Sequence, residues 1–178
     1  MFENLAKHRK ILVTGPHRSG TTIAATMIHD DLKSSHGLVL EELCWKPERC
    51  LDAVKMWLEI NEPMIIQAPF AADVCHQFPG VFVVFMHRDI DAIENSQKRM
   101  KLRNGRKVWW HDIEATERDK YHCDDSTVAG MKYRCWQDQK QHIVNYLELD
   151  YETLKDHHLW IQPELRKDFH VRQTYAVG

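Results

Sequence analysis

The chain has 178 residues, a formal net charge of −2 with its histidines neutral, and a composition of 43% hydrophobic and 28% charged residues. This length fits one domain, expected to span 1–178, and can bury roughly 70% of its unfolded surface in an ordinary core. The composition excludes a disordered, collagen-like or coiled-coil chain. The near-neutral charge excludes a global basic field for nucleic acid or a membrane surface, so an anion site must be local.

The five cysteines, Cys44, Cys50, Cys75, Cys123 and Cys135, form no C-x-x-C pair. That pattern reads as free thiols in a reducing compartment, and no ligand spacing suggests zinc, so no metal is expected. Met1 to Lys10 is polar and mixed in charge, unlike a secretory leader, and the longest apolar run, Val81 to Met86, is too short to cross a bilayer. The expectation is a soluble, cytoplasmic protein; the sequence leaves its oligomeric state open.

In chain order, Ile11-Leu12-Val13 is a buried strand closed by Gly15-Pro16. Thr21 to Leu32 carries a helical stripe of Ile23, Ala24, Met27 and Ile28. Leu38-Val39-Leu40 is a second strand, Glu48 to Glu59 a helix, and Met64-Ile65-Ile66 a strand bracketed by Pro63 and Pro69. Val81 to Met86 is apolar throughout, as a central strand covered on both faces would be. Asp91 to Leu102 and Thr127 to Tyr146 read as helices, the latter with Met131, Cys135, Trp136 and Ile143 on its inner face, and Tyr146 to Leu149 as a last strand. This alternation predicts an α/β domain, a mainly parallel central sheet flanked by helices, with its ligand beyond the carboxyl ends of the strands.

Two strand ends carry chemistry. The first strand runs into Thr14-Gly15-Pro16-His17-Arg18-Ser19-Gly20-Thr21-Thr22 and then a helix. The glycines let the backbone approach an anion closely, and the helix N-terminus aims N–H groups and partial positive charge at the same point. Arg18 adds a charge; Thr21 and Thr22 add hydroxyl donors. The glycine spacing equals that of G-x-x-x-x-G-K-[ST], but Thr21 stands where that loop has lysine, which weakens a case for ATP hydrolysis. At the second end, Met86-His87 is followed by Arg88, then Asp89 or Asp91 as a helix N-cap, then Ser96 roughly two turns into the helix. A guanidinium and a hydroxyl so held can each grip a phosphate oxygen. Taken alone, the residues also describe a plain strand-to-helix turn and a surface ion pair with a cap.

G-x-x-R-S-G-T-T resembles the 5′-phosphosulfate loop of sulfotransferases, and Val81 to Ser96 resembles their 3′-phosphate motif, an apolar strand, then Arg, then Ser eight residues later. Tyr133-Arg134-Cys135-Trp136 through Tyr151-Glu152-Thr153-Leu154 is similar to the family's late helix and its Tyr-Glu-x-Leu segment, where Tyr151 and Glu152 are structural. Val171-Arg172-Gln173 is similar to a Val-Arg-Gln tail near the 3′-phosphate. The resemblance implies a three-layer P-loop fold that binds 3′-phosphoadenosine-5′-phosphosulfate (PAPS) as donor and releases PAP, without a metal. Gly15, Pro16, His17, Arg18, Ser19, Gly20, Thr21 and Thr22 would hold the 5′ end, with Arg18 also catalytic; Arg88, Ser96 and Arg172 would hold the 3′-phosphate. The family's usual Asp four residues after the arginine is Ala92 here.

Glu41 and Glu42 follow the second strand and face the same crevice by that reading; the stretch resembles tyrosylprotein sulfotransferases, which makes Glu42 the first candidate base and Glu41 the second. Other members carry His or Lys after the third strand, where this chain has Gln67-Ala68-Pro69-Phe70. Gln67 can hydrogen-bond a sulfuryl oxygen but supplies no charge; Lys46 or His17 would have to provide it. His76 and His87 near strand ends are secondary candidates. The expected activity is sulfuryl transfer to a hydroxyl or amine of a small-molecule, glycan or peptide acceptor, with Lys98 to Asp125, including Trp109-Trp110, over the crevice. The alternatives are a small-molecule kinase and a catalytically degenerate nucleotide-binding module.

Overall fold

The computed structural model describes residues 1–32, 35–40, 47–99 and 128–161. Its elements are β1 (Lys10–Thr14), α1 (Thr21–Asp31), β2 (Gly37–Leu40), α2 (Pro47–Glu59), β3 (Met64–Gln67), β4 (Phe82–His87), α3 (Ile90–Arg99), α4 (Val128–Gln139), β5 (Tyr146–Asp150) and α5 (His158–Ile161), with short 3₁₀ turns between several of them. The five strands form one sheet in the order β2-β3-β1-β4-β5, and every pairing is parallel.

Strand periodicity divides the core between two faces, because successive side chains of a strand point to opposite sides. Ile11, Val13, Ile65, Val84 and Met86 pack with Ala24, Ala25, Met27 and Ile28 of α1 and Leu159 of α5. Leu12, Ile66, Val83 and Phe85 pack with Val54 and Trp57 of α2 and Trp136 of α4. The result is the expected α/β arrangement of helix, sheet and helix layers. The unbroken apolar character of β1 and β4 follows from coverage on both sides. Phe85 and Trp136 stack at 4.3 Å and 10° between planes, which fixes α4 over β4. Among the described residues, no helix is long and apolar enough to cross a membrane.

Several boundaries differ from expectation, most by a single residue. The helix predicted over Thr127–Tyr146 ends at Gln139, and a 3₁₀ turn, Lys140–His142, leads to β5. Gln139 turns inward there, donating to the Ala72 carbonyl at 2.5 Å and accepting from His76, so the chain breaks where it must swing back into the sheet. The strongest strand begins one residue later than predicted and extends to His87.

A polar latch joins the end of α1 to α5. Asp31 accepts from the Phe2 backbone N–H at 2.7 Å and from His157 Nε2 at 3.1 Å, and lies 2.8 Å from the Met1 ammonium. Asp30 and His158 pair alongside at 2.7 Å. The ligating atoms of these four residues lie within 4.8 Å of one another. His157 Nδ1 accepts the Leu159 backbone N–H, so the ring hydrogen sits on Nε2 and points at Asp31. That tautomer makes a hydrogen-bonded latch, not a metal ligand. Burial tends to raise the Asp31 pKa, but the Met1, Phe2 and His157 donors overcome it and hold the carboxylate below its ordinary range.

A folded-state pKa below the unfolded one contributes stability above the unfolded value, about 3.9, and loses it as pH falls further. Asp31→Asn is therefore expected to lower stability at pH 7 by about 1–2 kcal/mol. The loss should shrink as thermal melts are taken from pH 5 to pH 3; an equal loss at every pH would contradict the latch.

Candidate anion-binding site

β1 and β4 are neighbours in the sheet, with Thr14 level with Phe85. The segments that leave their carboxyl ends therefore start side by side, although Arg18 and Arg88 are 70 positions apart. This pairing brings the two sequence motifs into one crevice.

The loop after β1 is built by positive φ angles at Gly15 (139°), Arg18 (72°) and Gly20 (101°). A Cβ on Gly15 would lie 2.8 Å from the Met86 carbonyl oxygen, and one on Gly20 would lie 2.5 Å from the Tyr151 ring. Glycine is required at both by conformation and by space. Arg18 holds the left-handed region without that freedom, a strain of about 1–2 kcal/mol that the surrounding contacts must sustain. Pro16 accepts from the Ser19 N–H at 3.1 Å, closing the turn. Helix α1 starts after Gly20 with no side-chain cap, so its first N–H groups face out of the helix with the positive end of the dipole.

Within this cradle Thr21 is buried and accepts from Gln67 Nε2 at 3.0 Å, leaving its own hydroxyl hydrogen to point elsewhere. Thr22 is exposed at the helix start. Gln67 is 2% exposed, and its Oε1 has no partner among the described residues. With one Nε2 hydrogen engaged by Thr21, Gln67 keeps Oε1 as an acceptor that suits a hydroxyl or amine hydrogen and a second N–H that suits the sulfuryl oxygen expected from the sequence.

Arg88 follows β4. Asp89 Oδ1 accepts the Ala92 N–H at 2.8 Å and so caps α3. The cap is real, but no Arg88–carboxylate ion pair accompanies it among the described residues. Instead the Arg88 guanidinium lies 4.0 Å over the Tyr151 ring and donates to the Arg18 carbonyl at 2.9 Å. Arg18 in turn donates from Nε to Ser96 Oγ at 3.2 Å. Its side chain is thus directed toward the strand-end pair, where Arg18, Arg88 and Ser96 converge. Partial desolvation, then the Arg88 charge, draws Arg18 below the ordinary guanidinium range. It remains open to solvent and cationic. Two like charges thus share one cleft, and neither has an ion-pair partner among the described residues. Ser19 Oγ and Arg88 Nε are further buried polar atoms there without a partner among the described residues. A cavity of about 640 Å³ opens beside Arg88, lined by His87, Tyr133 and Tyr151 and by four carboxylates, Asp89, Asp150, Glu152 and Asp156.

His17 does not supply the charge missing at Gln67. It is buried, and desolvation, then Lys132 and Arg18, push it well below the usual imidazole range, so it is neutral. His76 is tied to Gln139 at 2.8 Å, and His87 stacks on Tyr133. Tyr151, expected to be structural, is the platform between Arg88 and Gly20, while Glu152 is exposed and paired with Lys155. Glu41, Glu42, Lys46, Trp109, Trp110 and Arg172 lie outside the described residues. Sequence reading missed Lys132, which is fully buried. Its signal was a lysine in the i, i+4 row Val128–Lys132–Trp136, otherwise apolar. The sequence matches no family model, and no curated protein matches it.

The unpaired guanidinium couple predicts anion-dependent stability. Sulfate at millimolar concentration is expected to raise the melting temperature. Arg88→Met, which keeps an apolar stem over Tyr151, should abolish that rise while changing anion-free stability by no more than about 1 kcal/mol, since the lost hydrogen bond is offset by relieved repulsion. An undiminished sulfate effect in the variant would contradict the assignment.

Proposed function

We propose that this chain is a sulfotransferase that uses 3′-phosphoadenosine-5′-phosphosulfate. The observation that carries the reading is the convergence of Arg18, Arg88 and Ser96 beside the glycine loop, with neither guanidinium ion-paired to a carboxylate among the described residues. The donor's chemistry fits the cradle. Its 5′ anion matches the uncapped start of α1 with Ser19, Gly20, Thr21 and Thr22, and its 3′-phosphate matches Arg88 and Ser96. Arg18 stands between the two ends. The cavity beside Arg88, with Tyr151 on its wall, is of a size that takes a nucleoside.

When bound, the donor supplies an activated sulfuryl group whose leaving group is the nucleotide bisphosphate. The chain's own part is alignment and charge. The loop N–H groups and Arg18 neutralise the anionic leaving side, and Gln67 Oε1 orients the acceptor by taking a hydrogen bond from its hydroxyl or amine. Glu42, or Glu41 beside it, removes the proton, a role that typically contributes about 100- to 10,000-fold. Thr21 in place of the loop lysine disfavours ATP, and the proposed reaction uses no magnesium.

The nucleotide 3′,5′-bisphosphate, without magnesium, is expected to stabilise the protein by about 2.7 kcal/mol at one hundred times its Kd, read as a rise in melting temperature. ATP should do little. Arg88→Ala should weaken the bisphosphate far more than the 5′-monophosphate. Stabilisation by ATP with magnesium alone would replace this reading with a kinase; binding of the bisphosphate with no sulfuryl release to any acceptor would reduce it to a nucleotide-binding module.

A further inference from the structure

Helix α4 touches both halves of the site through two adjacent residues. Tyr133 Oη accepts the Arg88 backbone N–H at 2.9 Å and donates to the Arg88 carbonyl at 2.7 Å. One hydroxyl thus holds both backbone polar groups of the residue just past β4, where no ladder partner fixes them. Lys132 Nζ lies 3.3 Å from His17 Nδ1 and 3.3 Å from the Pro69 carbonyl, beneath the loop after β1. A lysine ammonium has donors only, so His17 Nδ1 is the acceptor and the ring hydrogen sits on Nε2. The rest of the helix is immobilised. Trp136 stacks on Phe85 and donates to Glu148 at 2.5 Å, His87 stacks on Tyr133 at 11° between planes, and Gln139 binds the Ala72 carbonyl. Among the described residues, the charged groups that act on His17 are Arg18 from its own loop and Lys132 from α4.

We infer that Lys132 and Tyr133 are positioning residues that fix the glycine loop and Arg88 relative to one another, so that α4 sets the site for a ligand carrying two anionic groups a defined distance apart. The inference rests on the proposed nucleotide reading and adds to it the origin of selectivity for a bisphosphate over a monophosphate. Lys132 lies beneath the loop, away from the ligand. Tyr133 borders the cavity beside Arg88, but its hydroxyl is engaged by the Arg88 backbone, so Tyr133→Phe keeps the ring in the cavity wall and removes only that grip. Lys132 also brings to the underside of the loop a lysine that the loop itself lacks at Thr21.

The test compares binding of adenosine 3′,5′-bisphosphate and adenosine 5′-monophosphate to the full chain by calorimetry, in the wild type, Tyr133→Phe and Lys132→Met. Tyr133→Phe is expected to weaken the bisphosphate by about tenfold, the scale of a hydrogen bond lost to a buried group, and to leave the monophosphate unchanged. The ratio of the two affinities then falls by the same factor. Lys132→Met should weaken both ligands together, because both use the loop. An unchanged ratio in Tyr133→Phe, with the wild type still preferring the bisphosphate, overturns the inference and leaves the function standing. A wild type with no such preference overturns both. If Lys132→Met does not fold, the ¹⁵N shifts of wild-type His17 decide its half: an Nε2–H tautomer at neutral pH supports the contact, and an Nδ1–H tautomer refutes it.

Discussion

Two guanidinium groups that share a cleft, neither ion-paired to a carboxylate among the described residues, form the constraint on which the site depends. Arg88 reaches the Arg18 carbonyl, Arg18 reaches Ser96, and the two charges repel across a partly desolvated gap. Such an arrangement is tolerated because other contacts hold it. Tyr151 lies under one guanidinium, Tyr133 grips the backbone behind it, and the loop arginine keeps a left-handed conformation. An anion relieves the repulsion; a neutral ligand does not. The polar atoms left without partners among the described residues, Ser19 Oγ and Arg88 Nε, add to the same demand.

The fold explains how so local a feature arises from distant residues. β1 and β4 are adjacent and parallel, so their carboxyl ends open on the same side, and the crevice beyond them is where ligands bind in such sheets. Burial on both faces makes the strands rigid, and the stacked Phe85–Trp136 pair locks α4 to β4. Gly15 against the Met86 carbonyl and Gly20 against Tyr151 then set how closely the loop approaches β4 and the turn after β5. Packing, not loop chemistry alone, determines the geometry of the charges.

Much of this was legible in the sequence, for identifiable reasons. The apolar runs of β1 and β4 and the glycine spacing are local signals, and each marks a strand end directly. That Arg88 would lie against Arg18 follows only once β4 is known to neighbour β1, which a single sequence does not encode in any local pattern. Lys132 was passed over because a lysine in a helix reads as solvent-exposed; its burial depends on the loop and Pro69 arriving above it. His17 was considered as a source of charge, yet that same lysine and desolvation keep it neutral. The helix end at Gln139 was missed because the residues beyond it carry no proline or glycine stop signal, and the break comes from tertiary bonds to Ala72 and His76.

The central claim is that the glycine loop and the strand-end arginine serve a single ligand. A crystal structure of the protein with adenosine 3′,5′-bisphosphate tests it most directly. The account predicts one molecule, with its 5′-phosphate at the Ser19–Thr22 amides and its 3′-phosphate between Arg88 and Ser96. A nucleotide seated elsewhere, or one whose 3′-phosphate points away from Arg88, would contradict it.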